Sequence, residues 1–406
     1  MTPTDATLHA LDWPFVVSAV ADRTATERGA QKAACLALAA TREEVRARFD
    51  EVAEVWDVAD RGETIPLVGS FDVGSDVDRA AQGMALSLEE IAQIGEIVNG
   101  VSRLYQWLAI RAEDLPALWR WGVNLQLDGT LQATLETAFD DAGYLSSVAF
   151  PELGRLRAKV QQYRKEIRKT METLVLQRPD GPSNRFTDAL RDRFVTERSG
   201  RPVVPVQANR NSGLGIVHGA SKTGETVYVE PFEVIEPTNA LIEVEAAVRN
   251  EELRIMVALS AMIGQHRDGI QHALDAAAML DVTVARARLG RAVEGAIPEV
   301  GTSGVMKMTG MRHPILVLQD AQSVVPNDLA VGSGHCCLVL TGPNAGGKTV
   351  ALKCMGLAAL MVRAGLPIPA DEGMRVDLFG PIFGLVGDAQ GVENNLSTFS
   401  AHLMGV

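Results

Sequence analysis

The chain has 406 residues, 47% of them hydrophobic and 22% charged, with a formal net charge of −13. This length allows about two to four domains with sizeable cores, and the composition is ordinary for a soluble globular protein. The acidic balance argues against a simple basic nucleic-acid-binding domain.

No targeting or membrane segment is predicted. Residues Met1 to Asp5 contain neither the basic nor the apolar region of a signal peptide. The longest apolar helix that we predict, about Thr349 to Ala364, contains Lys353 and is too short to span a bilayer. We therefore expect a cytoplasmic protein with no membrane partner.

The four cysteines are Cys35, Cys336, Cys337 and Cys354. No two of them have the spacing of metal ligands. We expect buried free thiols, as in proteins of a reducing cytosol.

The first part of the chain has the pattern of amphipathic helices. Apolar residues recur with a helical period from Leu8 to about Leu127. Thr41–Glu44 and Ser87–Glu90 have the sequence of a capping box, which marks the start of a helix. We predict a helical core over residues 1–150.

An extended arm with a β-rich tip is predicted next. Pro151 to Leu176 reads as a polar helix with too few apolar positions to lie buried on a globular core, so residues 151–177 are predicted to form an outgoing lever helix. Short apolar runs separated by glycine turns then predict a small β module over residues 178–235. A single long helix is expected to return from Glu236 to about Arg291, within a segment of residues 236–298.

The arm and its tip carry an excess of positive charge. Residues 152–222 contain 15 basic and seven acidic residues, whereas the rest of the chain has a net charge of −21. This asymmetry predicts a polyanion-binding module on an acidic body; the alternative is a solvated coiled coil whose charges serve solubility. The predicted nucleic-acid contacts are Arg185, Arg191, Arg193, Arg198, Arg210 and Lys222.

The strongest motif is a phosphate loop, G-x-x-x-x-G-K-[ST]. Its residues are Gly342, Pro343, Asn344, Ala345, Gly346, Gly347, Lys348 and Thr349. Backbone N–H groups of such a loop surround a phosphate, the lysine reaches the outer phosphates and the threonine hydroxyl binds Mg²⁺. A buried strand is expected at Cys336–Leu340 and a helix from about Lys348, and the predicted cofactors are ATP and Mg²⁺. The alternative is a glycine turn with an incidental lysine.

The remaining residues predict one more strand, Pro381 to Val386, and the start of a helix at about Ala401. After residue 370 we find no apolar strand that ends in Asp-Glu, because Asp371 and Glu372 follow a loop. Magnesium and the attacking water would then lack a positioning carboxylate.

Several of these segments resemble the MutS family. Thr341–Thr349 is similar to its Walker A loop and Arg312-His313-Pro314 to the segment before it. Leu396–Ser400 resembles its signature loop, which implies that Ser397, Thr398 and Phe399 reach the nucleotide of a partner subunit. Further similarity points to the second bacterial subfamily, whose full-length members carry a C-terminal Smr nuclease domain. That similarity lies at Pro205-Val206, Gly215–His218, Val229–Pro231, Val325–Asp328, Thr349–Lys353, Ile368–Ala370 and Leu396–His402.

The resemblance implies a multidomain, mainly α fold: helical core, outgoing lever helix, β-rich clamp, returning lever helix, and a partial α/β P-loop ATPase domain of the ABC type over residues 299–406. It implies a homodimeric, ATP-dependent clamp on branched or double-stranded DNA of low sequence specificity. Such a clamp suppresses homologous recombination and acts in DNA repair. The alternatives are an ATP-driven sensor and splitter of collided ribosomes, which would bind rRNA, and a non-catalytic structural fragment.

The resemblance also sets expectations about activity. The chain is expected to end before the family's Walker B strand and Smr domain, and therefore to have little ATPase or endonuclease activity. Val324 stands where the family stacks an aromatic residue on adenine, so the base contacts stay open.

Overall fold

The computed structural model describes residues 3–67, 69, 71–175, 186–332, 334–341 and 347–384. These residues form two compact units. The first takes its residues from 1–78, 93–132 and 266–406, and the second from 79–92 and 133–265. Helices predominate and the sheets are small, which confirms the mainly α class.

The N-terminal third is helical, as predicted. Its helices are α1 (Asp5–Ala10), α2 (Trp13–Ala21), α3 (Glu27–Ala34), α4 (Arg42–Asp60), α5 (Gly74–Ala81), α6 (Leu88–Ala109), α7 (Pro116–Gly122) and α8 (Gly129–Thr137). The capping box at Ser87 is complete, because the Ser87 amide also donates to Glu90 Oε2 over 2.7 Å, whereas at Thr41 the Glu44 carboxylate accepts from the preceding Ala40 amide over 2.8 Å. The Glu44 amide donates to Thr41 Oγ1 over 3.2 Å, and the Glu90 amide donates to Ser87 Oγ over 3.3 Å. Each bond satisfies an amide that the helix leaves without an internal partner.

Helix α11 (Arg267–Ala292) lies in the first unit, and every residue from Leu280 to Ala287 is buried. Its buried Asp281 carboxylate accepts hydrogen bonds from the amides of Ala25 and Thr26 and from the Thr26 hydroxyl, at 2.7–3.0 Å. Thr283 donates to the buried Glu51, which also accepts from Trp121 Nε1. Burial raises the pKa of Glu51, and these donors oppose that shift. The polar groups of α11 therefore have specific partners on neighbouring helices.

In the second unit, α9 (Pro151–Val175) and α10 (Phe232–Gln265) pack side by side as an antiparallel hairpin. Arg157 pairs with Glu252 over 3.0 Å, and Arg164 pairs with Glu245 over 2.8 Å. Seven residues forward on α9 correspond to seven residues backward on α10, a separation of about two helical turns. Helix α9 offers few apolar residues for contact with α10, and these ion pairs supplement that contact.

The hairpin carries an antiparallel sheet of order β1–β2–β4–β3. The strands are β1 (Thr196–Arg198), β2 (Arg201–Gln207), β3 (Gly215–Ala220) and β4 (Thr226–Pro231). A separate apolar core joins the sheet to the adjoining ends of both helices, through side chains such as Met171, Val204, Val229 and Val234. The predicted β module is therefore a small packed head on the arm.

The returning helix was predicted as one element, and this is wrong. Helix α10 ends at Gln265 and α11 begins at Arg267, with His266 outside helical geometry at φ −98° and ψ 14°. Gly264 weakens the end of α10 because glycine has low helix propensity. Asp268 favours a new helix start because its charge complements the helix dipole.

The C-terminal part contains β5 (Met306–Met311), α12 (Pro314–Asp320), β6 (Asn327–Val331), α13 (Lys348–Ala364) and β7 (Arg375–Val376). The strands form an antiparallel sheet of order β6–β5–β7. Asp377 is fully buried and accepts hydrogen bonds from the amides of Gly301, Ser303 and Val305. This carboxylate fixes the loop before β5 against the segment after β7.

Two predicted strands are corrected. Cys336–Leu340 is not a strand, and Val339 is 75% exposed. A buried strand needs neighbouring strands to satisfy its backbone groups, and no described residue pairs with this segment. Residues 381–384 are likewise outside any strand, and residues 385 and 386 lie outside the described part of the chain.

The prediction of buried cysteines is correct only for Cys354; Cys35, Cys336 and Cys337 are exposed. The two adjacent cysteines are exposed because the segment that carries them pairs with no described strand. Burial raises the pKa of the Cys354 thiol to about 12.

Thiol labelling is expected to separate these cysteines. In native protein at pH 8, iodoacetamide should modify Cys35, Cys336 and Cys337, whereas Cys354 should react only after denaturation, because the nucleophile is the thiolate. Peptide mass spectrometry measures this directly. Equal labelling of Cys354 and Cys35 in native protein would contradict the packing of α13.

Within the described residues, no helix combines the length and the apolar character that a bilayer crossing requires.

Candidate nucleotide site and nucleic-acid surface

Of the predicted nucleotide site, the structure describes the residues from Gly347 onward. Helix α13 begins at Lys348, as predicted, and Gly347 precedes it in the left-handed conformation with φ 78° and ψ 8°. Glycine adopts this conformation without steric cost. Lys348 is half-buried and Thr349 is exposed. The other loop residues, Gly342 to Gly346, lie outside the described part of the chain, as does the signature segment Ser397–Phe399.

The start of α13 has the electrostatics of an anion site. Its first turn contains no acidic residue, and Gly347 offers no capping side chain. The first amides of a helix have no internal acceptor, and the helix dipole favours negative charge there. A phosphate bound at this end would satisfy these amides.

A magnesium ion at this site would depend mainly on phosphate oxygens. No group of three or more His, Cys, Asp or Glu side chains suitable for a metal ion occurs in the described ranges. Mg²⁺ bound with a nucleotide commonly takes only one or two protein ligands and completes its shell with phosphates and water. The exposed Thr349 hydroxyl fits that role.

The body of α13 is anchored in the core of the first unit. Residues from Leu357 to Ala364 are buried, and Gly365 ends the helix in the left-handed conformation with φ 69°. The Arg363 guanidinium donates from Nε to the Ala39 carbonyl over 3.0 Å. The exposed start of the helix therefore extends from a rigidly packed end.

Sequence reasoning missed three polar residues around α13. Lys353 donates to Asp12 over 2.8 Å, and the buried His313 lies 3.8 Å from the same carboxylate oxygen. His313 belongs to the Arg-His-Pro segment, so the resemblance marked its position without giving a partner. No local signal connects Asp12 to residues more than 300 positions away.

The predicted nucleic-acid contacts on the clamp sheet have different environments. Arg193 and Lys222 are exposed. Arg191 is also exposed but pairs with Glu225 over 3.1 Å, and Arg210 donates to the Asp188 carbonyl over 3.0 Å. Arg185 lies outside the described residues.

One end of the sheet carries several of these cations. The register Gln207–Thr226 brings the end of β2 beside the start of β4. Arg210 follows this end of β2, and Lys222 lies in the turn that leads into β4. Arg198 ends β1 at the turn into β2, and its guanidinium lies 4.5 Å from the centroid of the Tyr228 ring. Arg210 and Lys222 thus lie at one end of the sheet, and Arg198 lies at the other end, where β2 begins.

A buried carboxylate joins the clamp sheet to the arm, and sequence reasoning missed its role. Glu230 on β4 is fully buried and accepts from Arg201 Nη1 over 2.9 and 3.1 Å, while His218 Nε2 lies 2.7 Å from it. Arg201 also donates to Asn239 Oδ1 on α10 over 2.7 Å. Strands β2, β3 and β4 and helix α10 therefore meet at one charged group.

Comparison with known proteins gives consistent matches. Residues 338–406 match the family described as MutS domain V. The chain is 33% identical to a protein named Endonuclease MutS2 from Geobacillus thermodenitrificans, over 98% of this chain and 50% of the relative. The protein of that name from Enterococcus faecalis is 34% identical, over 84% of this chain and 43% of the relative. Putative endonuclease MutS2 of Bacillus subtilis is 30% identical, over 98% and 50%. The chain spans about half the length of the curated relatives that it matches.

Proposed function

The chain belongs to the MutS family, in the MutS2 subfamily, and from this premise we propose that it is an ATP-dependent clamp on branched or double-stranded DNA that suppresses homologous recombination. The family is one of DNA-binding ATPases. The observation that carries the proposal is the combination of two features in one chain. The hairpin of α9 and α10 carries a sheet with exposed cations, and α13 begins after a left-handed glycine with no acidic residue in its first turn.

ATP with Mg²⁺ is the proposed ligand of the start of α13. Lys348 would contact the outer phosphates and Thr349 the magnesium ion, while the first amides of α13 would donate hydrogen bonds to phosphate oxygens. Bound nucleotide would alter DNA affinity by favouring one arrangement of the arm, and DNA would alter nucleotide affinity to the same degree.

DNA is proposed to bind along the clamp sheet through its phosphates. Exposed Arg193 and Lys222 can neutralise phosphates, and such contacts do not distinguish base sequence. Low sequence specificity follows. Homodimer formation belongs to the same proposal. Cleavage of bound DNA is proposed only for full-length members of the family, since the relatives are named endonucleases.

Removing two clamp cations is expected to weaken DNA binding and its salt dependence. For Arg193→Ala/Lys222→Ala, the slope of log K against log salt concentration should decrease in magnitude by about 2 on double-stranded DNA, because each lost phosphate contact removes about 0.9. Fluorescence anisotropy with a double-stranded and a branched DNA, at several salt concentrations, measures the affinity and the slope.

The matched control removes the same charge elsewhere. Arg46 on α4 and Lys307 on β5 are both exposed, and Arg46→Ala/Lys307→Ala should leave the slope within experimental error of wild type. Equal effects of the two double variants would show that net charge, not the clamp, governs binding. Co-sedimentation with collided ribosomes, without preference for branched DNA, would instead favour the ribosome alternative.

A further inference from the structure

The corner between α1 and α2 contacts α13 through two adjacent residues. Lys353 donates from Nζ to Asp12 Oδ2 over 2.8 Å. Three residues further along α13, a Cβ on Gly356 would lie only 2.5 Å from Leu11 Cδ2. Leu11 is buried in the same core as α13. The corner therefore meets the helix at a defined position, both along its axis and around it.

Asp12 makes this contact instead of capping helix α2, which it precedes. It precedes α2 at the capping position, where an aspartate usually stabilises a helix by about 0.5–2 kcal/mol. Its side chain makes no capping bond to α2, and its backbone is left-handed at φ 58° and ψ 22°. Aspartate and asparagine tolerate this conformation better than other residues. The result is a carboxylate directed at α13 instead of at its own helix.

The contacted face of α13 is the face that begins with Thr349. Thr349, Lys353 and Gly356 are spaced i, i+4 and i+7, so they form one stripe along the helix. Rotation of α13 about its axis would move Thr349 and Lys353 together. A corner that fixes Lys353 and Gly356 thus also fixes the direction of the Thr349 side chain.

His313 completes the surroundings of the pair. It is buried, and its Nε2 lies 3.8 Å from Asp12 Oδ2. Burial lowers the pKa of this imidazole, with a further lowering by Lys353 and an opposing contribution from Asp12. The ion pair beside this imidazole is formed by Asp12 and Lys353, whose side chains are 26% and 22% exposed.

We propose that Asp12 is a positioning residue for the nucleotide site: it holds α13 in the rotation that directs Thr349 at nucleotide-bound Mg²⁺. The proposal rests on the nucleotide-binding function proposed above. Because coupling between sites is reciprocal, bound Mg·ATP should in turn stabilise the corner and α2.

The test uses Asp12→Asn, which keeps the size of the side chain and the tolerance of a left-handed backbone. We expect a decrease of about five- to tenfold in affinity for Mg·ATP, and less than about twofold for ATP in EDTA. Titration calorimetry measures both. Asp5→Asn, an exposed aspartate of the same segment, should leave both affinities unchanged. Lys353→Met should reproduce the effect without altering the corner, and the double variant should lose nothing further, because the two side chains form one interaction.

Hydrogen exchange gives a second measurement that simple loss of stability would not reproduce. Mg·ATP should slow exchange of the α2 amides in wild type but not in Asp12→Asn. If Asp12→Asn and Lys353→Met bind Mg·ATP as wild type does, while Lys348→Ala binds it about 100-fold more weakly, the positioning role is overturned and the nucleotide site stands. If wild type and Lys348→Ala bind equally, the proposed nucleotide site itself is wrong.

Discussion

Lys348→Ala should lower the affinity for Mg·ATP about 100-fold, which corresponds to about 2.7 kcal/mol. The expected size follows from the loss of charge-assisted hydrogen bonds to phosphate, each contributing roughly 1.5–3 kcal/mol. Lys348 is the first residue of α13, so removal of its side chain leaves the left-handed Gly347 and the backbone amides of the first turn in place. Residual binding should therefore retain a preference for triphosphate over adenosine.

The control for this variant is Lys307→Ala, an exposed lysine on β5 in the same unit. It changes the net charge by the same amount and should leave nucleotide affinity within about twofold of wild type, as expected for an exposed charge at a distance. Calorimetric titration of both variants, with circular dichroism to confirm folding, decides the matter. Wild-type affinity in Lys348→Ala would show that the glycine turn carries an incidental lysine.

Glu230→Gln should destabilise the clamp sheet by about 3 kcal/mol, since removing one partner of a buried ion pair leaves the other without compensation. The carboxylate is fully buried, and two strands supply the cationic and imidazole groups that face it. Arg201 would keep Asn239 as a partner, which limits the loss. The chain forms two units, so a single unfolding midpoint would not report this change. Exchange rates of the β2 and β4 amides would report it directly.

Glu225→Gln is the matched control for the buried carboxylate. Glu225 is 68% exposed in its side chain and pairs with Arg191 at the surface. Exposed pairs contribute about 0–1 kcal/mol, so amide protection in the sheet should change little. Comparable losses in Glu225→Gln and Glu230→Gln would show that burial of Glu230 does not govern the stability of the clamp. A loss confined to Glu230→Gln would identify the junction of sheet and arm as the stabilising contact.

Local sequence signals were sufficient for most helices. The capping boxes at Thr41–Glu44 and Ser87–Glu90 and the polar helix from Pro151 follow from interactions between residues three or four positions apart. Gly347, directly before Lys348, likewise indicates a left-handed residue at the start of a helix. These elements were predictable because the residues that determine them are neighbours in the chain.

Contacts between distant segments could not be predicted in this way. The apolar run at Cys336–Leu340 has strand character, yet a strand forms only where another strand pairs with it. Glu230 finds its partners on β2 and β3, and neither pairing has a sequence pattern of its own. The exposure of adjacent cysteines had the same origin, because burial is a property of the surroundings and not of the residue.

The family could be recognised from the sequence alone, because the predicted phosphate loop, the excess of basic residues and the resemblance to MutS all depend on residue types and spacings within short segments. Which charged groups face one another became known only from the folded chain. It placed Asp12 on Lys353, across 341 positions, and surrounded Glu230 with Arg201 and His218. Electrostatic interactions depend on distance in space and on burial, and folding alone sets both.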